Sequence, residues 1–252
     1  TGEGFNVRPY YRAENLEGLQ FLGSAAGEFP YVRGVRKDNC WRIHQSVAVE
    51  CPAKANAEAL TILNAGVDSV EFVLSDELSA EALNTLLAGV DYKAVELTFS
   101  GKKVAAVANL LLDKFEADGV EKNDVHVNFV IDPLVKNLSS KGCFCTPNAE
   151  GCFEKIVALV KKCSAYEYVR CVSVSGHIFS NAGSTIVEEL AFTLAAGHDY
   201  LVRLTEAGIS VDEAACNIRF SMAVTSNYFM EMAKFRAARM LWANIVNGYK
   251  PE

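Results

Sequence analysis

The feature that most constrains the fold of this chain is a strict alternation of strand-like and helix-like segments. Short runs rich in valine, isoleucine and phenylalanine predict strands, and each is followed by a longer segment whose apolar residues recur with helical spacing. The predicted strands cover residues 42–50, 69–74, 94–99, 125–131, 168–174 and 217–224. The predicted helices cover residues 53–65, 79–87, 102–117, 149–163, 184–207 and 227–246.

This alternation predicts a parallel sheet, because neighbouring parallel strands need a helical crossover between them. The strand spacing is typical of a TIM (β/α)8-type barrel. Only six strand-helix units fall within the 252 residues, so we expect the eight-stranded barrel to be incomplete in this sequence. Residues 1–40 lack a regular pattern and predict an N-terminal arm, whose aromatic side chains must pack on the barrel or on a partner chain. The barrel domain is predicted over residues 41–252.

Charge and hydropathy exclude several classes of function. The net charge is −7 and no run of five basic residues occurs, so neither nucleic acid nor an anionic membrane surface is an expected partner. No run of eighteen apolar residues predicts a membrane span, and the first residues lack the layout of a signal peptide, so we expect a cytoplasmic protein. The eight cysteines lack the spacing of zinc ligands and are predicted to be reduced thiols.

The loop after the fifth predicted strand is the strongest candidate for a ligand-facing segment. The strand-like run 171–175 breaks at Gly176, and a short polar stretch precedes the next helix. Loops at the carboxyl ends of parallel strands line the ligand site of α/β barrels. By this rule the polar residues expected near the barrel mouth are His44, Gln45, Asn128, Lys141, His177 and Asn181. Each also has a simpler interpretation as a solvated or structurally hydrogen-bonded residue, and His177 is the best candidate to line a pocket.

Three stretches carry a resemblance to a known family. They are residues 172–183 (VSVSGHIFSNAG), 189–200 (ELAFTLAAGHDY) and 227–242 (NYFMEMAKFRAARMLW). They resemble the adenosylcobalamin-dependent acyl-CoA mutases, above all the methylmalonyl-CoA mutase family, and weaker similarity extends back to residues 29–34 and 41–45. The resemblance implies a barrel in an isomerase that rearranges an acyl-CoA substrate with adenosylcobalamin as cofactor.

The sequence departs from this family at positions that contact the substrate. Where the catalytic members have a tyrosine and then a catalytic histidine, this chain has His177 and Ile178. The interval 35–40 is shorter than the family's loop and lacks its tyrosine, Ile131 replaces a substrate-contacting glutamine, and Lys141 replaces an arginine. The resemblance with these losses implies the small, non-catalytic subunit of a heterodimeric bacterial mutase, whose partner is the catalytic large subunit.

The cobalamin-binding domain of the family is expected to be absent from this sequence, because no Asp-x-His-x-x-Gly motif occurs in it. In the family the histidine of that motif ligates the cobalt from below. We therefore expect the cofactor in the holoenzyme but not on these residues, and we expect the chain to be a piece of a longer polypeptide.

Two alternatives to the non-catalytic subunit remain. The first is an active acyl-CoA mutase chain in which His177, shifted by one position, takes the catalytic role; the shortened 35–40 interval argues against it. The second is an unrelated barrel lyase with Lys141 as a Schiff-base amine and Asp132 as base.

The last predicted helix also carries a charged group of residues. Glu231 and Lys234 are three residues apart, and Arg236 and Arg239 follow. This spacing favours a solvated helical face with intrahelical ion pairs over an anion site.

Overall fold

The computed structural model describes residues 3–38, 40–135 and 149–251. The strands are β1 His44–Val49, β2 Ser69–Leu74, β3 Glu96–Gly101, β4 His126–Phe129, β5 Val169–Arg170, β6 Val172–Ser175 and β7 Ile218–Ser221. The longer helices are α1 Pro52–Asn64, α2 Ala80–Leu86, α3 Val104–Ala117, α4 Ala149–Cys163, α5 His177–Asn181, α6 Ile186–Glu206, α7 Val211–Asn217 and α8 Tyr228–Asn247. A 3-10 turn, Ala13–Leu16, lies in the N-terminal arm.

The first five strands form one parallel sheet in sequence order, and β6 pairs with β7 in a second sheet. The predicted parallel α/β alternation is therefore confirmed, whereas closure into an eight-stranded barrel stays a prediction. The fifth predicted strand is divided at Cys171, which belongs to neither β5 nor β6. A hydrogen bond of 3.2 Å from Ser173 N to Ile131 O continues the strand pairing beyond this break.

The hydrophobic core of the large sheet follows from the period of two residues along each strand. Val47, Phe72, Phe99 and Phe129 lie side by side in the register of β1 to β4 and are buried. The ring centroids of Phe72 and Phe99 are 5.7 Å apart, and those of Phe99 and Phe129 are 5.9 Å apart. This row of aromatic rings forms the apolar face of the sheet, so the opposite face is left to the polar residues that alternate with them.

Helix α6 confirms the prediction of a continuous helix through Gly197. A Cβ atom at Gly197 would lie 2.6 Å from Cε1 of Phe220 and 3.3 Å from Cζ3 of Trp242. Glycine is therefore required here for close packing against two aromatic rings. The modest loss of helix propensity at glycine does not interrupt a helix of this length.

Helix α7 was not predicted from the sequence. Ser210 caps it, because its hydroxyl accepts a hydrogen bond from Glu213 N, and the Glu213 carboxylate in turn accepts one from Ser210 N. This capping box was a detectable sequence signal, but the helix is only seven residues long. The strand predicted to start at Asn217 accordingly starts one residue later, at Ile218.

The chain divides into two compact units. The first comprises Thr1–Cys40, Ser175–Tyr200 and Phe220–Glu252, and the second comprises Trp41–Val174 and Leu201–Arg219. The N-terminal arm thus belongs to the unit that contains α5 and α8. In the ranges that the structure describes, we find no helix with the length and apolar character needed to cross a membrane.

Candidate functional site

The polar face of the five-stranded sheet carries a connected row of hydrogen-bonding side chains at the amino ends of β1 to β3. His44, Ser69 and Glu96 are neighbours in strand register. Nδ1 of His44 lies 2.7 Å from Oγ of Ser69, and Oγ of Ser69 donates to Oε1 of Glu96 over 3.1 Å. Arg42 completes the row through Nη1, which lies 3.1 Å from Oε2 of Glu96.

A second row lies one pleat further along the same strands. Ser46, Glu71, Thr98 and Asn128 are neighbours in register from β1 to β4. The hydroxyl of Ser46 donates to Oε2 of Glu71 over 2.5 Å, and Nε2 of His44 lies 3.5 Å from the same oxygen. Thr98 and Asn128 are buried, so this part of the polar face is closed to solvent.

Glu71 is the strongly perturbed carboxylate of this cluster. The hydrogen bond from His44 is the largest cause, and with bonds from Ser100 and Ser46 it lowers the pKa of Glu71 to about 2, although partial burial acts in the opposite direction. Glu71 is therefore an anion throughout the neutral pH range.

The ionisation of Glu71 predicts a specific pH dependence of stability. Because the pKa of Glu71 in the folded protein lies below the usual value of 4.5, its contribution is present above about pH 4.5 and is lost as the pH falls towards 2. We expect Glu71→Gln to lower the free energy of unfolding at neutral pH by about 1–2 kcal/mol, allowing for solvent screening of a half-buried group. We also expect the variant to lose less stability than the wild type as the pH falls from 4.5 to 2. Urea unfolding between pH 2 and 7 measures this, with the exposed Glu77→Gln as control. An equal loss of unfolding free energy at acid pH in Glu71→Gln and the wild type would contradict the prediction.

Ser69, His44 and Glu71 are ordered like the serine, base and acid of a nucleophilic triad, but their geometry does not support that chemistry. The hydroxyl proton of Ser69 is directed to Glu96, so Nδ1 of His44 must donate to Ser69 rather than accept from it. Ser69 is also fully buried. A nucleophile needs an accessible oxygen and an adjacent base, so we assign this cluster a structural role.

The placement expected for His44 and Gln45 is wrong. Both begin β1, so they lie at the amino end of the strand and not at a carboxyl end, where ligand loops lie. Successive residues in a strand also face opposite sides of the sheet, which separates Gln45 from the polar face that holds His44. Both residues also lie inside the strand predicted over residues 42–50, so the rule for loops at carboxyl ends did not apply to them.

Three more residues were given a possible role from the sequence: Asn128, Lys141 and Asp132. Asn128 lies within β4 on the polar face, in register with Thr98 and Arg170. Lys141 lies outside the described residues. Asp132, the base of the alternative lyase, is buried and accepts a hydrogen bond from Val135 N over 3.1 Å.

His177 and Asn181 lie in α5, directly after the carboxyl end of β6, in a stretch that the sequence analysis predicted as a loop rather than a helix. His177 is half-buried, and its Nδ1 is 3.2 Å from Oγ of Ser221 in β7. Asn181 is exposed at the last position of the helix. Ile178, at the position where the family resemblance implies the catalytic histidine, is half-buried.

Gly176 makes this tight turn possible. Its φ of −60° is open to any residue, so the requirement is one of space. A Cβ atom there would overlap Oγ1 of Thr193, lie 2.9 Å from its Cγ2, and lie 3.0 Å from the carbonyl oxygen of Ser221. Glycine thus lets the end of β6 approach α6 and β7 closely and fixes the position of His177.

The same compact unit contains a buried group of three charged side chains. Nζ of Lys234 lies 2.6 Å from Oε2 of both Glu189 and Glu231, and the three residues are at most 3% exposed. The predicted intrahelical ion pair of Glu231 and Lys234 is therefore confirmed, but the prediction that their helical face is solvated is wrong. Spacing of three residues shows that two side chains share a helical face but not whether that face is buried.

The two arginines of the same helix differ from each other. Arg236 is exposed, as predicted. Arg239 is half-buried and donates to the carbonyl oxygens of Tyr31 and Val32 at 3.1 and 3.3 Å. Burial lowers the pKa of Arg239 below its usual value, and repulsion from Arg236 acts in the same direction. Arg239 thus anchors the N-terminal arm to α8 and is not part of a ligand site.

Metal chemistry finds no support in the described ranges, which contain no group of three or more histidine, cysteine, aspartate or glutamate residues arranged to hold an ion. Among the described cysteines, Cys163 and Cys171 are buried free thiols, and a hydrogen bond involving Cys163 together with burial raises the pKa of Cys171. These thiols are unreactive core residues. Cys143, Cys145 and Cys152 lie where the structure describes no side chain.

Comparison with known proteins agrees with the motifs around α5, α6 and α8. A family model described as methylmalonyl-CoA mutase matches residues 75–252. The chain is 38% identical, over 99% of its length, to the methylmalonyl-CoA mutase small subunit of Porphyromonas gingivalis, of which it covers 40%. It is 32% identical over 96% of its length to the small subunit from Streptomyces virginiae and 28% identical over its full length to the large subunit from that organism, and it covers 39% and 38% of them.

The chain therefore spans about two fifths of the length of the curated relatives that it matches. The family model, in contrast, covers well over half of the chain itself. On that match and on its 38% identity to a named member across 99% of its length, the chain belongs to the methylmalonyl-CoA mutase family.

Proposed function

We propose that this chain is part of the small, non-catalytic subunit of a heterodimeric methylmalonyl-CoA mutase. In this proposal the chain binds and stabilises a catalytic large subunit, which interconverts methylmalonyl-CoA and succinyl-CoA by a radical rearrangement. The observation that carries the proposal is the pair His177 and Ile178. An isoleucine cannot donate a hydrogen bond to a thioester carbonyl, and the neighbouring imidazole of His177 contacts Ser221 through its Nδ1.

The polar face of the large sheet supports the same proposal. Ser69, His44, Glu71 and Glu96 bond mainly to one another, which leaves less hydrogen-bonding capacity for a substrate. The proposal assigns acyl-CoA binding to the holoenzyme.

The cofactor of the proposed holoenzyme is adenosylcobalamin. Adenosylcobalamin supplies the radical chemistry of the family when bound, and the family resemblance implies a histidine ligand for its cobalt. Each of the four histidines of this chain has a partner in the structure: His44 bonds Ser69, His126 stacks on Tyr168 at 4.4 Å, His177 bonds Ser221, and His198 bonds Tyr249 at 2.8 Å. The proposal places the cofactor elsewhere in the holoenzyme, because the resemblance assigns the cobalt ligand to an Asp-x-His-x-x-Gly motif that does not occur in this sequence.

The partner in the proposal is a large subunit. Relatives from Streptomyces virginiae carry the names of a large and a small methylmalonyl-CoA mutase subunit, and the chain is more similar to the small one. The proposal includes a cytoplasmic location and a TIM-type barrel fold.

Light scattering behind a sizing column tests the proposal. The full-length protein is measured alone and mixed with the large subunit from the same organism, and turnover is followed with adenosylcobalamin. We expect a one-to-one complex with turnover that depends on the large subunit. Turnover by the full-length chain alone would overturn the proposal.

A substitution in α5 separates the proposal from an active chain that uses His177. We expect His177→Ala in the complex to leave turnover within about twofold, because no reacting group is assigned to this residue. A general acid or base would lose about a hundredfold or more. Asn181→Ala, at an exposed position of the same helix, is the matched control. A loss specific to His177→Ala would restore the active-chain alternative.

A further inference from the structure

The buried group Glu189, Glu231 and Lys234 is the least expected feature of the unit that contains it. Its three side chains carry two negative charges and one positive charge, and the Lys234 side chain is fully enclosed. Removing ionised groups from water is costly, and replacement of buried ion pairs by apolar residues is often neutral or stabilising. Stability alone is therefore a weak reason for this arrangement.

The group contacts one short segment of backbone, residues 222–227, which we call the β7–α8 loop. Nζ of Lys234 donates to the carbonyl oxygen of Ala223 over 2.7 Å, and Ala223 N donates to Oε1 of Glu189 over 2.7 Å. The backbone N and the hydroxyl of Thr225 donate to Oε1 of Glu231 over 3.1 and 2.7 Å. Both carboxylates and the ammonium thus bind the same loop.

The loop has little else to hold its conformation. Residues 224–227 are exposed, and the side chain of Val224 is 73% exposed, so apolar packing does not fix this part of the backbone. Segments with few buried apolar contacts open locally at low cost unless other bonds restrain them. The four charge-assisted hydrogen bonds to the buried group are such restraints.

The loop also leads directly from the His177 contact. Ser221, whose hydroxyl bonds His177 and whose carbonyl oxygen lies against Gly176, ends β7 two residues before Ala223. A shift of the loop would therefore move the partner of His177.

The ion group is joined directly to the loop. Nζ of Lys234 lies 2.6 Å from Oε2 of both Glu189 and Glu231, and it also donates to the carbonyl oxygen of Ala223. One ammonium thus links both carboxylates to the backbone of the loop.

We propose that Glu189, Glu231 and Lys234 form an ionic latch that holds the β7–α8 loop in a single conformation and so positions Ser221 for His177. The latch acts through backbone groups of Ala223 and Thr225, which places its effect in the loop rather than in the core of the unit. This inference does not depend on the proposed function.

Amide hydrogen exchange of the full-length protein tests the latch. In Lys234→Met the two carboxylates lose their shared cation, so the loop should open to hydrate them. We expect the amides of Ala223 and Thr225 to exchange about tenfold faster or more, with little change in the middle of α6 and α8. Arg236→Met, the same kind of change at an exposed position of α8, should leave both amides unchanged.

Two conservative variants keep the test decisive if Lys234→Met does not fold. Glu189→Gln and Glu231→Gln each leave one carboxylate beside one ammonium, so neither variant buries an uncompensated charge. We expect Glu189→Gln to accelerate exchange mainly at Ala223 and Glu231→Gln mainly at Thr225. Unchanged exchange at both amides, or equal acceleration throughout α6 and α8, would overturn the latch.

Discussion

Gly101→Ala is expected to lower the free energy of unfolding by about 3 kcal/mol or more. Gly101 ends β3 with a φ of +93°, where an L-residue is strained. An added Cβ would overlap the backbone oxygen of Leu74 and lie 2.9 Å from its backbone nitrogen. Backbone atoms of a paired strand cannot move aside as a flexible side chain can, so the β2–β3 pairing must distort. Urea unfolding followed by circular dichroism measures the loss.

Gly119→Ala is the matched control for the steric part of this effect. Gly119 also has a positive φ, of +63°, but a Cβ there would have open space around it. Gly119→Ala therefore introduces backbone strain but no steric overlap, and we expect it to lower the free energy of unfolding by about 1 kcal/mol. Equal losses in the two variants would show that the contact with Leu74 is unimportant.

Phe99→Ala is expected to lower the free energy of unfolding by about 4 kcal/mol. Phe99 is fully buried in the central strand of the large sheet and stands between the rings of Phe72 and Phe129. Truncation removes its apolar burial and leaves a cavity that strands on both sides prevent from collapsing. Thermal or urea unfolding would measure the change.

The control for this core substitution is Phe5→Ala in the N-terminal arm. The side chain of Phe5 is 48% exposed, so its truncation should cost less than about 1 kcal/mol. If Phe99→Ala costs no more than Phe5→Ala, the row of rings is not the core that holds the sheet.

The bounds of strands and helices in the large sheet were predicted well from the sequence, because they depend on residues next to one another in the chain. Strand β2 has the predicted bounds, Ser69–Leu74, since a short apolar run between turn residues has few alternatives. Helix α3 ends at the predicted Ala117 before Gly119, whose positive φ suits a helix C-terminus. Because a helix separates each strand from the next, the alternation also predicted that neighbouring strands pair in parallel.

The polar groups were harder to place, because their surroundings come from distant parts of the chain. His44 is held by Ser69 and Glu71, about 25 residues away. The break at Cys171 and the burial of Lys234 depend in the same way on neighbouring elements. A spacing of three residues between Glu231 and Lys234 cannot reveal that Glu189, 45 residues from Lys234, closes over the ammonium.

By itself, then, the sequence determined the order of the elements, the parallel α/β class and, through the motifs of residues 172–183 and 227–242, the family. Only the tertiary structure decided which polar side chains are buried and what each of them binds. The physical reason is that periodicity reports which residues share a face, whereas burial and charge pairing depend on what packs against that face.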